Sequence, residues 1–191
     1  SVAVDASDGA ERYGVQKRML DALAMGSHLK WADAARAGKF TDEIAPIRAR
    51  KGRGEALVTE DEQPRPDGSV ARISMLPPVF GSKTTTPGNA PGLNDGATAM
   101  VVMSEERAKE LGAPVLAELV EQVGATDAPN GISWIPAIAI RKVLERSGLR
   151  IDDMDLIEIN EAFAAMPLVS TKILADGDEE RWLRLIERTN V

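Results

Sequence analysis

The stretch Asn160-Glu161-Ala162-Phe163-Ala164-Ala165 directly follows an apolar run at residues 154–159, and this junction decides the fold. The run is apolar apart from Asp155 and Glu158, so it predicts a short buried strand, and residues 162–174 predict a helix. Asn160 would then stand at the N-terminus of the helix, where unpaired N–H groups and a positive dipole end favour a bound water or oxyanion. Asn in such a position is more often a simple N-cap, and this stretch alone leaves both interpretations open.

Further motifs surround this junction in a fixed order. Residues 84–97 read TTTPGNAPGLNDGA, residues 135–149 read IPAIAIRKVLERSGL, and residues 38–44 read GKFTDEI. Asp61-Glu62 is followed by Arg65. Together with the Asn-Glu-Ala-Phe motif, these blocks resemble the thiolases, which are acyl-CoA acyltransferases, from about Tyr13 to Val191.

The resemblance implies a catalytic set that this chain carries only in part. The thiolase mechanism uses a nucleophilic Cys, the Asn of Asn-Glu-Ala-Phe, a Gly-His-Pro histidine and a second Cys that moves protons. The chain has no Cys, and its one histidine, His28, is followed by Leu29. We therefore expect a partial thiolase, corresponding to the middle of the family's sequence.

Composition excludes several other classes of function. The chain has 191 residues, 43% of them hydrophobic, which is enough for one domain or two small ones. A net charge of −7 argues against nucleic-acid binding. No apolar run is long enough for a membrane span and no signal peptide is recognisable, so we expect a cytoplasmic protein. Without Cys, no disulfide, thiolate metal site or thiol chemistry is expected, and no metal site is predicted.

Residues 1–90 form the first of two expected domains. Residues 15–37 predict a helix ended by Gly38, with Val15, Met19, Ala22, Gly26 and Leu29 on its apolar face. Residues 44–50 and 55–59 predict two strands around a Gly-containing turn, and residues 69–75 predict a short helix capped by Ser69. By resemblance, this half is the thiolase loop domain, which lies over the active site and holds CoA.

Residues 91–191 predict a β-α-β-α-β-α order and therefore a layered α/β fold. Strands are expected at residues 99–103 and 115–123, and a short helix between them should start at the Ser104 cap and end at Gly112. Pro136 suits the first turn of the next helix and Gly148 its end. By resemblance, this half is the first part of the thiolase C-terminal domain.

The resemblance assigns catalytic chemistry to the junction. Thiolases exchange acyl groups through an acyl-enzyme on Cys, and negative charge on the thioester oxygen must meet preorganised donors. Asn160 matches the asparagine that fixes an oxyanion-hole water, whereas Glu161 is expected to orient its neighbours. Phe163 matches a residue that walls the reactive end of the pantetheine channel, although a core aromatic on a helix is almost equally expected.

The resemblance also assigns contacts to the CoA thioester, which is expected as substrate rather than as a cofactor. Arg65 matches an arginine that lies against the nucleotide end of CoA. The alternative interpretation is a solvated loop arginine. Ala90 matches a backbone contact to pantetheine. Pro87 and Pro91 replace the usual Ala and Ser, and because proline has no N–H or hydroxyl, at least one polar contact should be lost. Asn130 replaces a Met of the acyl pocket, or is a plain Asn-Gly turn residue.

Two functions of different classes follow. In the first, the chain is part of a working thiolase, and a complementary polypeptide supplies the Cys and the Gly-His-Pro histidine in a dimer or larger assembly. In the second, the chain is a non-catalytic thiolase-like subunit that binds acyl-CoA or scaffolds a partner. The presence of Asn160 favours the first, whereas Pro87, Pro91 and Asn130 favour the second.

Overall fold

The computed structural model describes residues 1–191 except for the side chain of Lys51. Its helices are α1 (Val2–Arg12), α2 (Lys17–Arg36), α3 (Val70–Ser74), α4 (Glu105–Leu111), α5 (Ile135–Ser147), α6 (Ala165–Leu174) and α7 (Glu179–Glu187). Strands β1 (Ile47–Lys51) and β2 (Gly54–Val58) form an antiparallel hairpin with Ile47 opposite Val58 and Lys51 opposite Gly54.

Helix α6 lies at the centre of the fold. It is apolar on nearly all sides, and Pro167, Leu168, Val169, Ser170 and Thr171 are all buried, as expected for a helix enclosed by others. Helices α1, α5 and α7 pack around it. Pro167 is tolerated because it stands in the first helical turn, where its missing N–H has no partner within the helix.

The helices are joined by close contacts between small residues and by one large aromatic. Ala6 and Ala10 of α1 are fully buried, and a Cβ added at Gly9 would come within 2.6 Å of the Ser133 Oγ. Trp182 of α7 is 1% exposed, and its indole N–H donates to the Leu168 carbonyl and to the Thr171 hydroxyl, both at 3.1 Å. These contacts fix the position of α6 and of the Asn160 segment that leads into it.

Most predicted helix signals are confirmed. Helix α2 ends where Gly38 adopts a left-handed conformation (φ 71°). Ser69 and Ser104 each accept a backbone N–H at the start of α3 and α4, and Gly148 ends α5 in the left-handed region. The β1–β2 hairpin also forms as predicted.

The predicted apolar face is confirmed at Val15, which is in the core, and at Met19, which packs against it, but it is wrong at Ala22 and Leu29. Helix α1 was not predicted. Ala22 and Leu29 are exposed, and α2 instead buries Leu20, Asp21, Ala24 and Met25. The shift arises because α2 packs on α3 and on a polar network described below, so a charged residue occupies its inner face.

The strands predicted at residues 99–103 and 115–123 are wrong for this chain. Both segments lack regular structure, and Val101 and Leu116 are 85% and 97% exposed. A strand forms only where a neighbour supplies hydrogen-bond partners, and none of the residues that the structure describes does so here.

The junction around Asn160 also differs from the prediction. The strand expected at residues 154–159 is reduced to one parallel bridge between Ile157 and Thr189. Helix α6 begins at Ala165, not at residue 162, and Ala164 rather than Asn160 stands at its N-cap. Asn160 is therefore not the cap of this helix, and it lies in the irregular segment between the bridge and α6.

Candidate functional site

A cleft of about 500 Å³ lies between α2, the loop at residues 63–68, the end of α3 and the segment at residues 87–94. Four residues that the sequence assigned to CoA line it: Arg65, Pro87, Ala90 and Pro91. Glu161 and Ala164 of the Asn160 segment line the same cleft. The fold thus brings the expected CoA contacts next to the segment expected to carry the chemistry.

A buried carboxylate, Asp21, binds Asn89, which is one of the residues that line the cleft. Asp21 of α2 is 0% exposed and accepts hydrogen bonds from Lys17 Nζ (2.7 Å), Ser74 Oγ (2.8 Å) and Asn89 Nδ2 (2.9 Å). Asn89 Nδ2 also donates to the Thr84 carbonyl at 3.0 Å. Asp21 therefore joins α2, α3 and the segment that carries Ala90.

The same Asn89 links this network to the Asn160 segment. Its side-chain oxygen accepts the Thr86 N–H at 2.8 Å, which shapes the turn that presents Pro87. Its carbonyl accepts the Ala164 N–H at 3.1 Å, one residue before α6. A continuous set of hydrogen bonds consequently runs from α2 through the wall of the cleft to the start of α6.

Gly88 permits the close approach of this wall to α3. A Cβ added at Gly88 would lie 2.6 Å from Ile73 Cγ2 and 2.9 Å from Leu76 Cδ1. Ile73 is buried, so its side chain has little room to move. Glycine is therefore needed here for packing.

Arg65 and His28 lie at the side of the cleft. The Arg65 guanidinium donates to carbonyls of its own loop at Gln63 (3.1 Å) and Pro64 (2.8 Å), and its backbone N–H donates to His28 Nδ1 at 3.3 Å. Burial, and then the positive charge of Arg65, lowers the pKa of His28, whereas Glu161 opposes the shift. His28 is thus held as a neutral acceptor beside an arginine that is bound to its own loop.

Asn160 itself is exposed, and its side chain makes no hydrogen bond within the part of the chain that the structure describes. The residues on both sides of it are held by Asn190. The Asn190 side chain bonds the Ile159 N–H and carbonyl, both at 2.8 Å, and the Glu161 carboxylate at 2.9 Å. Asn160 can therefore present its carboxamide outward from an anchored backbone.

Phe163 and Asn130 are not among the residues that line the cleft. Phe163 is half-buried and packs against the main core. Asn130 is exposed in a turn closed by the Gly131 N–H on the Ala128 carbonyl at 2.8 Å. Trp134, next to this turn, is 6% exposed in the core and stacks at 4.9 Å with the Arg12 guanidinium.

Sequence reasoning missed several residues of the cleft. Ala24, His28 and Trp31 line it from α2, and Gln63 and Asn94 line it from the loops. The α2 residues follow the spacing i, i+4, i+7, so the helical period was a usable signal for this face. The loop residues carry no comparable pattern, because their placement depends on the turn around Pro64.

The described residues contain no group of three or more His, Asp or Glu side chains arranged to hold a metal ion. None of their helices combines the length and the apolar character that crossing a membrane requires.

Comparison with known proteins identifies the family. The model of the thiolase N-terminal domain matches residues 1–106, and that of the thiolase C-terminal domain matches residues 113–186. The chain is 42% identical over 183 residues to a probable acetyl-CoA acetyltransferase of Escherichia coli (strain K12), covering 94% of this chain and 46% of that protein. It is 39% identical over 175 residues to a beta-ketoadipyl-CoA thiolase of Pseudomonas aeruginosa, covering 91% and 44%.

Solved structures agree with this result. The acetyl-CoA acetyltransferase of Bacillus anthracis matches with a TM-score of 0.81 at 39% identity, covering 98% of this chain and 46% of that one. Human mitochondrial 3-ketoacyl-CoA thiolase matches with a TM-score of 0.81 at 36% identity and the same coverage. The chain thus has a partial thiolase-like α/β fold and spans less than half the length of these relatives. It belongs to the thiolase family.

Proposed function

We propose that this chain supplies the CoA-binding cleft and the oxyanion-hole asparagine of a thiolase-type acyltransferase. The reaction is thiolysis of a 3-ketoacyl-CoA or the reverse Claisen condensation of acetyl-CoA. The observation that carries the proposal is the single cleft that joins Arg65, Pro87, Ala90 and Pro91 to Glu161 and Ala164. Residues 1–90 act as the loop domain over this cleft, and residues 91–191 act as the first part of the C-terminal domain.

In this proposal Asn160 stabilises the transition state. Its exposed carboxamide holds a water that donates to the thioester oxygen as negative charge develops there. Glu161 fixes the neighbouring backbone through Asn190 rather than transferring a proton. By family resemblance, Phe163 walls the reactive end of the pantetheine channel and Asn130 makes the acyl end more polar, both outside the cleft that Arg65 and Ala90 line. Arg65 contacts the nucleotide end of CoA once its guanidinium leaves the loop carbonyls that it binds here.

The nucleophilic Cys and the Gly-His-Pro histidine come from a complementary polypeptide. This part of the proposal is supported by a set of exposed apolar side chains on the segments at residues 93–103 and 115–120. Monomeric proteins rarely expose apolar surface in contiguous patches, and both segments contain residues that the sequence predicts as strands. Their large apolar members are Leu93, Met100, Val101, Val102, Met103, Val115, Leu116, Leu119 and Val120. Strands of the complementary polypeptide would pair with both segments, in a dimer or larger assembly.

A non-catalytic role in binding acyl-CoA is the second candidate. The observation that favours it is the position of Pro87 and Pro91 in the wall of the cleft, where neither can donate a hydrogen bond to pantetheine. A subunit of this kind would bind CoA but would not accelerate thioester cleavage in any assembly.

Calorimetric titration with CoA tests the cleft, using the chain co-expressed with a polypeptide that carries the Cys and the Gly-His-Pro histidine. Ala90→Trp fills the cleft and should weaken CoA binding at least about tenfold, because the larger side chain occupies the space of the ligand. Ala22→Trp is the matched control, since Ala22 is exposed on the outer face of α2. Equal CoA affinity in the parent and in Ala90→Trp would contradict the proposed cleft, and binding without turnover would favour the second candidate.

A further inference from the structure

Asn190 makes an unusual set of contacts with the segment around Asn160. Its Oδ1 accepts the Ile159 N–H at 2.8 Å, and its Nδ2 donates to the Ile159 carbonyl at 2.8 Å. The second Nδ2 hydrogen is directed to the Glu161 carboxylate at 2.9 Å. One side chain thus binds the residue before Asn160 and the residue after it, across about thirty positions of sequence.

The amide of Asn190 takes the place of a strand partner. The backbone ladder between the two segments consists of the Ile157 N–H on the Arg188 carbonyl and the Asn190 N–H on the Ile157 carbonyl, both at 2.9 Å. Asn190 itself lies in the left-handed region at φ 53°. Its carboxamide, which has the same donor and acceptor as a peptide group, then pairs with Ile159.

Asparagine suits this position for two separate reasons. Among residues with a side chain, Asn enters the left-handed region at small cost. It also carries a donor and an acceptor on one planar group, and the carbonyl and the N–H of Ile159 require one of each. Aspartate would keep the acceptor but place a second carboxylate beside Glu161, and serine would not reach both groups.

We propose that Asn190 is a positioning residue for Asn160, an inference that rests on the proposed function of Asn160. Because Ile159 and Glu161 are both fixed by the Asn190 amide, the intervening Asn160 backbone has few alternatives. The direction of its carboxamide is consequently set before substrate binds. An oxyanion-hole donor depends on such preorganisation, and a displacement of about 1 Å can lower a rate by about a hundredfold.

The test uses Asn190→Gly, which removes the amide and keeps the left-handed backbone without strain. Lys30→Met is the matched control, because Lys30 Nζ contacts Asn190 only at its carbonyl, at 2.7 Å, and its loss leaves the amide in place. In the chain assembled with the complementary polypeptide, Asn190→Gly should lower kcat at least about tenfold and change KM by less than about twofold. The double variant Asn160→Ala/Asn190→Gly should be no slower than Asn160→Ala, since one residue acts through the other.

A second measurement is made on the 191-residue chain itself. Amide hydrogen exchange at Ile159 should accelerate at least about tenfold in Asn190→Gly, which removes the acceptor of this N–H, but not in Lys30→Met. If Asn190→Gly keeps a near-parental kcat while Asn160→Ala has a strongly reduced kcat, the inference is overturned and the proposed function remains intact. A near-parental kcat in Asn160→Ala would instead overturn the proposed function. In either case, an unchanged rate of amide exchange at Ile159 in Asn190→Gly would overturn the contact between Ile159 and Asn190.

Discussion

Replacing Asp21 by Ala should destabilise the chain and loosen the cleft. Asp21 is fully buried and accepts hydrogen bonds from Lys17, Ser74 and Asn89. Lys17 is partly exposed and Ser74 is exposed, so water can replace the carboxylate at both. Asn89 is buried, and one of its Nδ2 hydrogens would lose its only partner.

The magnitude follows from these differences. A buried donor left unpaired costs about 1–3 kcal/mol, and the two rehydrated bonds together contribute about 1 kcal/mol more. We therefore expect Asp21→Ala to lower the free energy of unfolding by about 2–4 kcal/mol. The affinity for CoA should also fall, because Asn89 shapes the turn that presents Pro87 and Ala90.

Urea unfolding followed by circular dichroism measures this effect, with Asp33→Ala as the matched control on the same helix. Among the described residues, Asp33 pairs with Arg36 alone, on the exposed face of α2, so its loss should change the free energy of unfolding by less than about 0.5 kcal/mol. If the free energy of unfolding of Asp21→Ala lies within about 0.5 kcal/mol of the parent value, the buried network does not hold the cleft together.

Three further outcomes are expected. In urea unfolding, Gly88→Ala should lower the free energy of unfolding by about 1–3 kcal/mol, because its added Cβ would lie 2.6 Å from Ile73 of α3. Gly26→Ala has open space around the added Cβ and should raise the free energy of unfolding by about 0.5–1 kcal/mol. Equal effects of the two substitutions would refute the packing argument. The pKa of His28 is lowered from 6.5 in the folded chain, so its contribution to stability is present above pH 6.5 and declines as the pH falls through the pKa of the folded state. His28→Gln should flatten this part of the pH–stability curve, and an unchanged slope would contradict the lowered pKa of His28. Limited chymotrypsin digestion should cut the isolated chain within residues 93–103 and 115–120, and protection there without a partner would contradict the proposed pairing.

The helices were largely predictable because their signals are local. The capping serines at 69 and 104 and the terminal glycines at 38, 112 and 148 act on the adjacent turn, whatever lies elsewhere in the chain. Helix α1 escaped prediction, although Ala3, Ala6 and Ala10 follow the helical period along its buried side. Small residues of this kind form a helix through close packing, here against α6, rather than through a strongly apolar pattern.

The strands and the detail of the site depend on distant parts of the chain. Alternation at residues 115–123 indicates a strand, but a ladder needs a partner that the described residues do not provide. No local pattern marks Asp21 as a buried residue, and its burial is explained by Asn89 and Ser74, which lie over fifty positions away. The contacts of Asn190 with Ile159 and Glu161 are of the same kind, since no local pattern predicts them.

The most direct test of the proposed function is turnover of a 3-ketoacyl-CoA by the chain assembled with a polypeptide that carries the Cys and the Gly-His-Pro histidine. We expect thiolysis by the assembly, none by the 191-residue chain alone, and a loss of about a hundredfold or more in kcat for Asn160→Ala with CoA binding nearly unchanged. Thiolysis by the isolated chain, or near-parental turnover in the Asn160→Ala assembly, would contradict the proposed role of this chain.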